Sequence, residues 1–156
     1  MPNVAGIVYI RLTAPDLDVQ ETFLSHFGLE KVLRTDTKLY MRGTDSNPYI
    51  HITELGEASV PGWAYLAASA EDLVGFAELD CASEVQEIDA PGGGNRVLLD
   101  EDVNGFTIEV VHGIEQVEPM PVRRNMVNWG EEPLRRTNEA TRLAHGPATV
   151  KRIAHA

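Results

Sequence analysis

The sequence predicts an α+β domain in which two β-α-β-β-β modules share one curved mixed sheet, followed by an extended C-terminal tail. Three observations carry this. A phrase occurs twice: Tyr9-Ile10-Arg11-Leu12-Thr13-Ala14-Pro15-Asp16-Leu17 returns as Tyr65-Leu66-Ala67-Ala68-Ser69-Ala70-Glu71-Asp72-Leu73, an offset of 56 residues from Tyr9 to Tyr65. In each copy an alternating strand runs into a helix start, and further strand-like segments follow. Beyond Gly113 the texture changes to proline, asparagine and arginine.

Val4–Leu12 alternates and carries β-branched Val4, Ile7, Val8 and Ile10, which predicts a strand. Asp16 or Asp18 can cap a helix through Phe27, with an apolar face of Leu17, Phe23, Leu24 and Phe27 and a stop at Gly28. Strands follow at Glu30–Arg34, Lys38–Arg42 and Tyr49–Leu55, separated by Thr35-Asp36 and by Gly43–Pro48. The second module repeats the order: a strand Trp63–Ala68, a helix Ser69–Cys81, and strands Val85–Asp89, Arg96–Leu99 and Phe106–His112. Pro91-Gly92-Gly93-Gly94-Asn95 lies between two strands with no helix after it, so it reads as a hairpin turn rather than a phosphate cradle. Residues 1–112 thus form the module domain and 113–147, with Pro119, Pro121, Pro133 and Pro147, a linker. Residues 148–156 begin another strand, as the opening of a further domain would.

The 156 residues, 43% hydrophobic, suffice for one core. No apolar run is long enough for a membrane span, and Met1-Pro2-Asn3-Val4 opens no secretory leader. One cysteine, Cys81, fits a reducing cytoplasm, and its place late in a helix predicts a buried structural thiol. The net charge of −11 argues against a nucleic-acid partner. Residues 1–122 carry 6 basic and 21 acidic side chains, whereas 123–156 carry 7 basic and 3 acidic, as for a basic linker lying over an acidic body. His26 reads as a surface residue at a helix end, His112 as facing away from Glu109, and Trp63 and Trp129 as packing anchors.

The repeated strand-to-Asp-Leu element, together with Asp102-Val103-Asn104-Gly105-Phe106-Thr107-Ile108-Glu109, resembles the vicinal-oxygen-chelate superfamily of glyoxalases, bleomycin-resistance proteins and extradiol ring-cleavage dioxygenases. The resemblance covers residues 5–112 and implies a glyoxalase-like half-barrel. Arg123-Arg124-Asn125, Arg135–Asn138, Gly146-Pro147-Ala148 and Val150–His155 are similar to the connector of two-domain extradiol dioxygenases. In those enzymes the first module pair carries no metal, and the second holds Fe(II) through a first ligand placed like His155. The resemblance therefore implies an amino-terminal, metal-free domain of a dioxygenase acting on small catechol-like substrates. A missing C-terminal catalytic domain and a homo-oligomer would be its partners.

Carried over by position, the ligand sites fall on Tyr9 and Tyr65 in the first strands and on His51 and Glu109 in the fourth strands. His51, Glu109 and His155 are the candidate metal ligands. Tyr9 and Tyr65 are candidate groove-lining residues, because a phenol with a pKa near about 10 is a poor ligand for a divalent ion. Two other readings stay open: a stand-alone module that sequesters a small ligand, as bleomycin-resistance proteins do, and a metal-dependent glyoxalase-like lyase. Residues 113–156 are expected to be mobile or docked on a neighbouring molecule.

Overall fold

The computed structural model describes residues 1–101, 105–122, 128, 130, 131, 133, 134 and 146–154. Asp102–Asn104, Trp129, His145 and His155 lie outside the described residues. Eight strands form one unclosed mixed sheet, with the helices in two β-α-β-β-β modules. The first module comprises β1 (Val4–Ala14), α1 (Leu17–Phe27), β2 (Glu30–Arg34), β3 (Lys38–Arg42) and β4 (His51–Leu55). The second comprises β5 (Ser59–Ala67), α2 (Ala70–Ala77), β6 (Gln86–Glu87), β7 (Asn95–Glu101) and β8 (Phe106–His112).

The strand order β2-β3-β4-β1-β5-β8-β7-β6 makes the two halves mirror one another about the antiparallel β1–β5 pair. In each half the first strand pairs in parallel with the fourth, as the helical crossover allows. Local chemistry sets the helix ends. Asp16 Oδ1 accepts the backbone N–H of Asp18 at 2.8 Å and of Val19 at 3.1 Å, capping α1. Gly28, at φ 112°, closes it in the left-handed conformation, with its N–H on the carbonyls of Leu24 and Ser25.

α2 is capped instead by Ser69, whose Oγ accepts the Asp72 N–H at 3.0 Å while the Asp72 carboxylate takes the Ser69 hydroxyl at 2.8 Å. It ends at Ala77, four residues short of the expected stop. The following turn is held by Leu79 N–H on the Phe76 carbonyl and by an isolated bridge of Ala82 to Leu99. Cys81 therefore lies in a turn and is exposed, a correction to the buried thiol expected from helical spacing. The triple-glycine run turns a hairpin, with Gly93 N–H on the Ala90 carbonyl at 3.0 Å.

Three apolar clusters divide the core. One fills the concave face (Val8, Tyr9, Tyr40, Tyr49, Ile52, Ala64, Val111), and one lies under each helix. Of the expected apolar face of α1, Leu17 and Leu24 are buried, while Phe23 and Phe27 stand out toward solvent.

The described tail residues 113–122 and 148–154 meet the first module. Residues 113–122 return to the turn at 43–48, with Val117 N–H on the Ser46 carbonyl and Met120 N–H on that of Thr44, both at 2.9 Å. Residues 148–154 form no strand of the sheet. They pass the other side of that turn, with Thr44 N–H on the Val150 carbonyl at 2.9 Å and Val150 and Ile153 packed on the α1 cluster. A Cβ at Gly43 would run into the Lys151 carbonyl. Gly43→Val is therefore expected to unseat residues 148–154, read as faster amide exchange at Thr44 with β7 and β8 unchanged. Unaltered protection of Thr44 would refute this seating.

Candidate functional site

The concave face holds a cavity of about 350 Å³. At its centre Glu109 on β8 faces Tyr9 on β1, because Ala64 of β5 pairs with both and strand neighbours across a sheet share a face. The Tyr9 hydroxyl donates to Glu109 Oε2 at 2.7 Å. Arg11 donates through Nη1 to Glu109 Oε1 at 2.6 Å and through Nη2 to Glu54 at 3.2 Å. Arg96 on β7 donates to Glu109 Oε2 at 3.3 Å. Glu109 is fully buried, so these donors replace the water it loses.

Burial, then the charge of Glu109, raises the Tyr9 pKa far above the ordinary phenol value. Tyr9 is thus a fixed donor and not a base. Burial opposes the charge on Arg11, but Glu109 and Glu54 outweigh it and raise the guanidinium pKa. Tyr49 packs 5.1 Å from Tyr9 and 5.3 Å from Tyr40 between ring centroids, giving the cavity an aromatic wall. Burial raises the Tyr49 pKa as well, and its hydroxyl has no hydrogen-bond partner among the described residues. Lys38, Glu54, Glu87 and Asp89 also line the cavity.

Of the candidate residues that are described, the structure brings together Tyr9 and Glu109. His51 pairs with Ile10 and Met41, which puts it on the helix side of the sheet, and the groove position beside it is taken by Ile52. Tyr65 pairs with Val110, part of the α2 cluster, and packs 6.5 Å from Trp63; it is not a groove residue. The physical reason is an odd offset. Ala14 to Ala67 and Leu17 to Ala70 are each 53 residues apart, so at this strand-to-helix junction the backbone runs three residues out of step with the repeat in letters. A strand has a period of two, and an odd slip inverts every side chain.

Arg11, Arg96, Tyr40 and Tyr49 completed the site unforeseen. All six basic residues of the first 122 fall inside predicted strands, so strand position alone does not single out the two that turn to Glu109 in the groove.

A metal ion does not fit this groove. Both oxygens of Glu109 are occupied, and an entering divalent cation would meet two guanidinium charges within hydrogen-bond range of its only buried carboxylate. Among the described residues no three His, Cys, Asp or Glu side chains cluster to hold a metal. No helix among them is long and apolar enough to cross a membrane.

Fold and groove together define a half-barrel of two β-α-β-β-β modules with a glyoxalase-like fold. No protein-family model and no curated protein matches the sequence. Among solved structures, the chain is similar to the Mn(II)-bound glyoxalase from Novosphingobium aromaticivorans, with TM-score 0.69 and 21% identity over 80% of this chain and 44% of that one. It is also similar to homoprotocatechuate 2,3-dioxygenase from Arthrobacter globiformis (TM-score 0.64, 21% identity, 76% of this chain and 39% of that one). The Brevibacterium fuscum enzyme in complex with 3,4-dihydroxyphenylacetate gives TM-score 0.64 at 19% identity, over 76% of this chain and 40% of that one. The chain thus spans less than half the length of these structures.

Proposed function

We propose that this chain is the metal-free module pair of a ring-cleaving dioxygenase of the extradiol type, and that a second module pair holds the Fe(II). The observation that carries this reading is the occupancy of Glu109. The carboxylate at a family ligand position is neutralised by Arg11 and Arg96 and capped by Tyr9, which makes the groove a structural polar core rather than a Lewis-acid site. On this reading the domain supports the catalytic one and its docking, and His155 is the first ligand of the iron. That the matched stretch spans less than half of each similar structure supports the two-pair arrangement.

The test has two arms. The purified chain, loaded anaerobically with Fe(II) and desalted, is expected to retain no stoichiometric iron and to leave catechols uncleaved. Stoichiometric iron with ring cleavage would overturn the proposal. The reading frame beyond Ala156 is expected to encode another module pair with one more His and a Glu at strand positions; an immediate stop codon would end this reading.

A second reading, a stand-alone sequestering module, is favoured by one feature: an aromatic-walled cavity lined also by Glu87 and Asp89, which make no ion pair among the described residues and can meet a small cationic ligand away from Arg11 and Arg96. Saturable binding of such a cation, lost on Tyr49→Ala, would select it.

A further inference from the structure

A second cavity, of about 440 Å³, lies on the helix side of the sheet between α1 and the returning tail. Phe23, Phe27, Ile50, Val150 and Ile153 form its walls. The rings of Phe23 and Phe27 are 60% and 55% exposed and mark the mouth, whereas His51, 7% exposed, lies at the bottom. His51 supplies the one polar side chain among the described residues that line it. Its Nδ1 stands 3.4 Å from Thr53 Oγ1, at the far limit of a hydrogen bond. Nε2 is not buried without a partner, so it is reached from the cavity by solvent, which a ligand hydroxyl can replace. Burial also depresses the His51 pKa to about 4, which keeps the ring uncharged near neutrality.

Apolar walls, a volume within the roughly 300–1,000 Å³ of small-molecule pockets and a single polar anchor are what a ligand site of low polarity requires. We propose that this cavity binds a small, mainly apolar molecule carrying one hydroxyl, which hydrogen-bonds to His51. A neutral imidazole presents one donor and one acceptor nitrogen, and a hydroxyl answers either tautomer at Nε2. A carboxylate is disfavoured, because no charged side chain among the described residues lines the cavity and the anion would be desolvated without a counter-ion. The site is separate from the concave groove. It does depend on the tail, since Val150 and Ile153 build one wall.

The test titrates 1-naphthol, naphthalene and 1-naphthoate into the intact chain and follows the His51 ring protons by NMR. Saturable one-to-one binding of 1-naphthol is expected, with naphthalene about 2- to 12-fold weaker for want of one hydrogen bond and 1-naphthoate weaker again. His51→Leu should abolish the difference between naphthol and naphthalene. Ile153→Trp, at the half-buried rim, should block both; it carries the test if the His51 variant does not fold. Absence of saturable binding, tightest binding by naphthoate, or a naphthol preference that survives His51→Leu would overturn the proposal. So would broadening of the Phe23 and Phe27 resonances with protein concentration that naphthol fails to reverse, because a second copy would then cover the mouth.

Discussion

Replacing Glu109 by alanine is expected to destabilise the fold by about 3–5 kcal/mol, the cost of removing one partner from a buried ion pair. The substitution leaves Arg11 and Arg96 facing one another across the groove and takes the acceptor from the Tyr9 hydroxyl. Since the two guanidiniums are 20% and 33% exposed, some of their charge can be re-solvated, which puts the loss near the lower end. Glu109→Gln should cost less, because an amide oxygen still accepts from one donor. Urea unfolding of the two variants reads the difference. A loss below about 1 kcal/mol for the alanine variant would mean that the network is not what holds the concave face together. The triple change Glu109→Leu, Arg11→Met, Arg96→Met should recover most of the stability, as apolar replacement of a whole buried ionic cluster does.

Acid should destabilise the protein through His51 at higher pH than through Glu21 or Asp72. The folded-state pKa is about 4 against an ordinary 6.5, owing to burial. Between those values the unfolded chain binds the proton and the folded chain does not, so unfolding is favoured as pH falls. The contribution of the neutral ring is fully present above about pH 6.5 and is lost progressively down to about pH 4. A shift of this size corresponds to about 3 kcal/mol. Glu21 and Asp72, whose pKa values are lowered by hydrogen bonds from Lys31 and Ser69 respectively, act below their ordinary carboxylate values and so in a lower window. Unfolding free energies of the parent and of His51→Leu, measured from pH 7 to pH 4, should diverge by that amount. Parallel curves would remove His51 as the acid-sensitive group.

Much of the architecture was legible in the chain. Asp16, Gly28 and Ser69 act at helix ends as their chemistry demands, and the strand segments at 30–34, 38–42 and 106–112 fall where alternation put them. The site was legible only in part. Glu109 and Tyr9 were recoverable from a family pattern, but their meeting across 100 residues of chain depends on β1, β5 and β8 lying side by side. Arg96 reaches the same carboxylate from β7, a pairing that no local pattern announces. The seat of the tail on the turn at 43–48 likewise rests on non-local backbone bonds, which are invisible to composition.

The sequence by itself determined that two modules exist, where their helices start, and that an acidic body carries a basic tail. These follow from local propensity, capping and charge, which act within a few residues. Only the tertiary structure decided which side chains share a face. Where the first strand of each module turns into its helix, the backbone repeats at 53 residues and the letters at 56, and with a strand period of two that odd difference sends Tyr65 and Tyr9 to opposite sides of one sheet. His51, one residue from the groove position held by Ile52, is carried to the apolar side by the same alternation.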